Sequence, residues 1–377
     1  MVALYVCNKL FIISFYFLQM FGRGKKDPNR VKRLVKNVRS ARINLSGVSE
    51  DFLKYFDQIS DKLGSKLAKS TEDQYYLSFL RFSEFCVQNN VVCLPSEPEV
   101  IMTYLIKVSQ ESKSAAAAFM ARSAIRNYNL LHSPHAPSPT DSADVVMLIK
   151  CIRREFSHPV HKVEDMTKDI LKRLIDFILK GDQMRANNFC VGIDDWLIVA
   201  MTVLKFHTFA RFEEAVELKK SSIVVLPSGD LEVTFLKAKN NQFHDVGKCM
   251  IAASEKKNDM FCPVRVISTY FLRIDSEIDH YFVPKISKGQ VYLEEKASYG
   301  YCLDKYRRAL RLCGVENWKE FGEHSDRIGG LSAAANAGCS IEDLQVQGRW
   351  KSDAMVKIYH KRSLERKMKV SKVLNSL

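Results

Sequence analysis

The stretch that decides the fold is HSDRIGGLSAAANAGCSIEDLQVQGRWKSDAMVKIY, running from His324 to Tyr359. Three separations in it matter: Arg327 follows His324 by 3, Trp350 follows Arg327 by 23, and Tyr359 follows Trp350 by 9. Local signals divide it into three short helices. Arg327 opens an Ala-rich run, Ala333 to Ala335, which stops at Gly338, a residue suited to a left-handed C-terminus. Ser340 then caps a second helix, with Asp343 three residues on as a capping box. Gly348 ends that helix, and Ser352 is placed to cap a third that carries Met355, Ile358 and Tyr359. In such a helix–turn–helix–turn–helix, the start of the first helix and the end of the third can return to one place. His324, Arg327, Trp350 and Tyr359 can then converge on one ligand.

The residue types say which ligand. Arg presents a planar fork of donors that suits phosphate. Trp offers one indole N–H. His moves a proton near neutral pH. Tyr has an ordinary pKa of about 10 and becomes a nucleophile when cations and a base surround it. Together they point to attack of a tyrosine on a phosphodiester.

The stretch resembles the tyrosine site-specific recombinases, the phage-integrase family. In that family a His-x-x-Arg box is followed by a His or Trp and then by the nucleophilic Tyr, at these separations. The runs RIGGLSAAANAG and GRWKSD look most like recombinases of eukaryotic mobile elements, the Crypton and tyrosine-recombinase retrotransposon kind. Asp326 departs from the pattern, since the family usually has an apolar or aromatic residue there. It is expected to pair with a neighbouring cation or to perturb the box.

Upstream, HTFARFEEAVEL resembles the family's first box, an Arg followed three residues later by Glu: here Arg211 and Glu214. The resemblance makes Arg211 the second guanidinium on the scissile phosphate, with Glu214 holding the local helix. Next, LEVTFLKAK (231–239) alternates like a strand, NNQFHD turns, and VGKCMIA returns. The family carries a lysine on such a hairpin that protonates the leaving 5′ oxygen. Lys239 is taken for this role, with Lys237 on the same strand face as the alternative. Beyond the hairpin, Cys262 to Ile274 reads as an amphipathic helix, Glu277 to Tyr301 as irregular, and Leu303 to Cys313 as helix. A basic amphipathic tail follows Tyr359.

Residues 46–156 read as a bundle of four or five helices. Tyr75, Tyr76, Phe79, Phe82 and Phe85 recur three and four apart, and Ala115 to Ala118 permit close packing. Lys66, Lys69, Lys113, Arg122, Arg126, Lys150, Arg153 and Arg154 are candidates for a DNA-facing side. The layout is similar to the family's core-binding domain. Residues 157–165, SHPVHKVED, lack apolar periodicity and are read as a linker, with His158 and His161 as exposed linker residues. The catalytic domain is then 166–377, with helices expected near Thr167–Leu179 and Asp194–Phe209.

The net charge of +14 is concentrated in Gly22 to Arg42, which holds nine Lys or Arg against Asp27 alone. Such an arm suits DNA phosphates or nuclear import. The apolar run before it, Leu10 to Leu18, is too short for a bilayer core of about 30 Å. A start at Met20 is the simplest reading of that region, and residues 1–45 are expected to form a disordered arm. Ten scattered cysteines show no C-x-x-C and no zinc spacing; they read as reduced thiols of an intracellular protein.

The expected fold is therefore mainly α (α+β): a helical core-binding bundle plus a catalytic domain of helices with a small antiparallel sheet. The resemblance implies a nuclear DNA recombinase or integrase that works through a 3′-phosphotyrosine as a tetramer on double-stranded DNA. The site would be Arg211, Lys239, His324, Arg327, Trp350 and Tyr359, with no cofactor, metal or membrane. Two other readings of the same chemistry are a host-adopted DNA-binding protein that no longer cuts, and a type IB topoisomerase.

Overall fold

The structure is a computed structural model. It describes residues 48–64, 67–133, 135–156, 163–183, 191–236, 247–256, 258–274, 276–354, 356–357, 368 and 371–375. The N-terminal arm, Lys66, the linker as far as residue 162 and the turn with Lys237, Lys239 and His244 lie outside these residues. So do Tyr359 and most of the tail. The chain divides into two units, Met1–Val160 and His161–Leu377.

The first unit holds α1 (Glu50–Gly64), α2 (Lys69–Gln88), α3 (Pro98–Ser112), α4 (Ala115–His132) and α5 (Ala143–Glu155). The aromatic stripe of α2 supplies the core as expected. Phe79 and Phe82 are fully buried, each contributing about 1.5–3 kcal/mol. Phe79 stacks on Tyr128 of α4 at 4.1 Å between centroids. Ala118, Ala121 and Ala124 are buried along α4 and let α2 and α3 pack against it. Of the candidate DNA-facing cations, Arg122 and Arg126 are committed elsewhere: both bond Asp141, at 3.1 and 2.9 Å. Partly exposed pairs of this kind add little stability.

The second unit runs α6 (Lys168–Gln183), α7 (Ile193–Thr208), α8 (Phe212–Val216), β1 (Ile223–Val225), β2 (Leu231–Phe235) and β3 (Gly247–Ile251). It continues through α9 (Pro263–Ile274), β4 (Pro284–Ser287), β5 (Gln290–Lys296), α10 (Tyr299–Leu312), α11 (Ser325–Asn336) and α12 (Ile341–Gly348). Helix α7 is the axis of this unit. It is buried on every side from Trp196 to Leu204, with Thr202 the one polar residue of that run, as suits a core helix, and α6, α9, α10 and α11 pack around it. Strands β1, β2 and β3 form an antiparallel sheet in that order, with Val233 opposite Cys249.

Two glycines set how closely α11 approaches. A Cβ on Gly329 would lie 1.9 Å from the Met166 carbonyl oxygen, and one on Gly330 would lie 1.9 Å from that of Phe206. The Gly-Gly pair after Arg327 is thus what seats the His-x-x-Arg helix directly on α7 and on the segment before α6.

The segment Glu277 to Tyr301 is not irregular. It forms the β4–β5 hairpin and the start of α10. Lys288 and Gly289 both have positive φ, +51° and +78°, the backbone of a two-residue hairpin turn whose twist matches its strands. Strand β4 spans only four residues and begins with Pro284, so the alternation that reveals a strand is too short to read.

Among the described residues, no helix is long and apolar enough to cross a membrane.

Candidate active site

The site begins where α7 ends. Phe209 takes a left-handed conformation (φ +52°) and turns the chain, so that Arg211 becomes the N-cap of α8. Glu214 binds back to it twice. Its Oε2 accepts from the Arg211 main-chain N–H at 2.9 Å and its Oε1 from Arg211 Nη1 at 2.7 Å. The Arg-x-x-Glu spacing is thus first a helix-start device.

Glu214 does more than cap a helix. It is buried, and two further guanidiniums face it: Arg349 Nη2 at 3.1 Å and Arg327 Nη1 at 3.9 Å. Burial pushes its carboxyl pKa up. The Arg211 N–H and the charges of Arg349 and Arg211 outweigh that and hold it below the ordinary range. One ionised carboxylate therefore sits among three arginines, and the cluster keeps a surplus of positive charge.

Arg327 lies in the first turn of α11. Its Nη1 donates to the Phe209 carbonyl at 2.8 Å. Its guanidinium packs 4.8 Å from the centre of the Trp350 ring, a cation–π contact. Trp350 in turn lies nearly parallel to Phe209, 6.1 Å between centroids at 14°. Gly348 makes room for that ring, since a Cβ there would lie 2.1 Å from it. The indole Nε1 is buried and has no hydrogen-bond partner among the described residues.

His324 is the N-cap of α11 and is exposed. Partial burial lowers its pKa, and the charges of Arg327, Lys205 and Arg211 lower it further against an opposing effect from Glu323. The ring is accordingly neutral at pH 7 and lies within the electrostatic reach of the Arg211 and Arg327 guanidiniums.

The first two of the three short helices expected after Arg327 are present with shifted ends; of the third, only residues 354, 356 and 357 are described, and Met355, Ile358 and Tyr359 lie outside the described residues. Helix α11 opens at Ser325, two residues early, and Gly338 has the expected left-handed backbone (φ +98°). The Ser340–Asp343 capping box is present in both directions, each bond 3.1 Å. At the end of α12 the left-handed residue is Arg349 (φ +55°), with Gly348 the last helical residue. Asp353, not Ser352, heads the third helix: the Lys357 N–H bonds its carbonyl at 2.8 Å. A small apolar core of Phe209, Leu331, Leu344 and Val356 ties all three helices to the end of α7.

Asp326 has found its cation. It is buried and accepts from Lys205 Nζ of α7 at 3.0 Å and from the Tyr306 hydroxyl of α10 at 2.6 Å. Lys205 also donates to the Glu323 carbonyl at 3.0 Å. The network is closed within the protein.

Of the six residues singled out from the sequence, Arg211, His324, Arg327 and Trp350 come together. Lys239, with its alternative Lys237, and Tyr359 lie outside the described residues. The sequence reading passed over Arg349. Its only local signal is an Arg directly after the glycine that ends a helix, which does not by itself suggest a partner 135 residues away.

No family model matches the chain, and no curated protein matches it in sequence. Solved structures do. The chain is similar to the XerH site-specific recombinase bound to palindromic difH substrate in a post-cleavage complex, at 11% identity and TM-score 0.57. The match covers 94% of this chain and 98% of that one. The pre-cleavage XerH complex matches at 13% identity and TM-score 0.53, over 94% and 98%. A lambda integrase dimer bound to a COC′ core site matches at 15% identity and TM-score 0.51, over 84% and 97%. At these identities the likeness is one of fold: mostly helical, with small antiparallel sheets, as in the tyrosine recombinases.

Proposed function

We propose that this chain is a DNA strand-transferase that cuts and rejoins duplex DNA through a phosphotyrosine. The carrying observation is the convergence of Arg211 and Arg327, with Arg349, on the one buried carboxylate of Glu214, while Trp350 packs on Arg327 and His324 feels the charges of Arg211 and Arg327. A surplus of guanidinium charge, an indole N–H with no partner among the described residues and a neutral imidazole are what a phosphodiester undergoing substitution calls for. The fold shared with the tyrosine recombinases and the sequence position of Tyr359, nine residues after Trp350, support the same reading.

In this mechanism the Tyr359 oxygen attacks the scissile phosphorus while the P–O5′ bond breaks. The phenolic proton passes to neutral His324, and Lys239, or Lys237, supplies a proton to the departing 5′ oxygen. Arg211 and Arg327 take up the charge that grows on the non-bridging oxygens, which is where preorganised donors contribute most. Trp350 adds its N–H. The 3′-phosphotyrosine conserves the energy of the broken bond, so the 5′ hydroxyl of a second DNA end can attack in turn. A homotetramer on DNA, action in the nucleus and origin in a mobile element complete the proposal.

The test is to incubate the full-length protein with nicked suicide duplexes, pooled from random and element-flanking sequences, and look for an adduct that survives denaturation. The reading requires an adduct that is absent in Tyr359→Phe. Binding without an adduct across the pool would make the chain a DNA-binding protein that does not cut. Simple relaxation without joining of separate duplexes would favour a topoisomerase.

A further inference from the structure

The mechanism above leaves Arg349 without a role, yet no side chain of the site is held on more sides. Its backbone is left-handed at φ +55°, a conformation disfavoured for a residue with a side chain. Its Nη1 donates to the Thr208 carbonyl at 3.0 Å, to the Gln347 carbonyl at 3.3 Å and to Cys249 Sγ. Its Nη2 donates to Glu214 at 3.1 Å. Its guanidinium lies 3.8 Å from the centre of the Phe235 ring. Its Cδ fills the space over Gly247, where a Cβ would lie 2.6 Å away.

A guanidinium engaged in this way, on a side chain only 11% exposed, is not a ligand-binding group. What it does fix is a carboxylate. Glu214 has two oxygens. Oε1 takes Arg211 Nη1, and Oε2 takes both the Arg211 N–H and Arg349 Nη2. The end of α7, the end of β2, the start of β3 and the end of α12 all meet on Arg349, and it passes their positions to Glu214.

We infer that Arg349 is a positioning residue that acts through Glu214 to set the direction in which Arg211 presents its other N–H donors to the scissile phosphate. The inference rests on the function proposed above. Without Arg349, Glu214 keeps only Arg211 and Arg327 as counter-charges and draws both toward itself, away from the phosphate. Lysine does not replace it, because one ammonium cannot bond Thr208 and Glu214 while stacking on Phe235.

The experiment compares wild type, Arg349→Gln, Arg349→Lys and Arg211→Ala on two suicide duplexes. One carries the normal phosphodiester. The other carries a methylphosphonate at the scissile position, which lacks the non-bridging negative charge that the guanidiniums neutralise. Arg349→Gln should slow adduct formation on the order of ten- to a hundredfold on the phosphodiester, with DNA affinity unchanged. The gap to wild type should narrow on the methylphosphonate, as it should for Arg211→Ala. Arg349→Lys should recover little. Adding Glu214→Gln to Arg349→Gln should cost less than Glu214→Gln costs alone, since the two residues act in series.

An Arg349→Gln rate equal to wild type would overturn the inference. So would a defect of equal size on both substrates, which would mark Arg349 as a support of the fold only. Both results require a wild-type adduct, so they leave the proposed function standing. No adduct from wild type on either duplex would overturn the proposed function and this inference together.

Discussion

Two buried carboxylates in the second unit make an instructive contrast. Asp326 and Glu214 are both nearly inaccessible and both ionically paired. Asp326 meets one ammonium and one hydroxyl, Lys205 and Tyr306, and its charge is balanced one for one. Glu214 meets three guanidiniums. The first arrangement is complete and holds α7, α10 and the His324 turn together. The second is uneven, and of its three guanidiniums Arg211 is the most exposed. Counting the charges around each carboxylate thus separates a balanced network from an unbalanced one, although Asp326 of the first and Arg327 of the second are neighbours in the sequence of α11.

The largest effect expected from breaking this contrast is on the balanced side. Asp326→Asn leaves Lys205 buried and uncompensated, which costs about 3–5 kcal/mol. Thermal or denaturant unfolding should show that loss. Replacing Lys205 and Asp326 together with Met and Leu should recover most of it. If Asp326→Asn unfolds like wild type, the network is not the closed structural pair described here.

On the uneven side, Arg211→Ala should lower the rate of adduct formation by about 10²–10³ with little change in unfolding midpoint. Arg327→Ala should do the same, although part of its effect will come through lost packing against Trp350. A stability loss without a rate loss would put these arginines in the same class as Lys205.

The third expectation concerns pH. His207 lies in the last turn of α7. Its burial, and the charge of Lys168, push its pKa down to about 4. The unfolded chain takes up that proton near pH 6.5 and the folded chain does not until about pH 4. Stability is therefore full above 6.5 and falls as the pH drops through that window, by roughly 3 kcal/mol at most. His207→Gln should flatten the slope of unfolding free energy between pH 6.5 and 4; an unchanged slope would assign it to other groups.

The smallest effect tests the helix that delivers Trp350. Ser340→Ala removes the cap of α12 and should cost about 1 kcal/mol, measurable as a lower melting temperature with the adduct rate nearly intact.

How much of this was legible follows from how local each signal is. The Ser340–Asp343 box, the Gly338 stop and the amphipathic faces of α2 and α9 depend on residues a turn or two apart, and they were read from the sequence. The β4–β5 hairpin was not, because its shorter strand has four residues and its turn is marked only by Lys288-Gly289. The reason for Gly329 and Gly330 was out of reach, since it is the backbone of Met166 and Phe206. Asp326 looked like a departure because its partner lies 121 residues away, and Arg349 looked ordinary because its meaning comes from Thr208, Glu214 and Phe235. The residue types of the site were legible from their spacing, whereas the polar scaffold that aims them is a product of the tertiary fold.

The measurement that tests the central claim most directly is the chemical identity of the protein–DNA bond. Adduct from the suicide reaction would be digested with nuclease and protease and analysed by tandem mass spectrometry. The account predicts a nucleotide attached through its 3′ phosphate to the Tyr359 oxygen. A nucleotide on any other residue, or DNA bound with no covalent peptide, would contradict it.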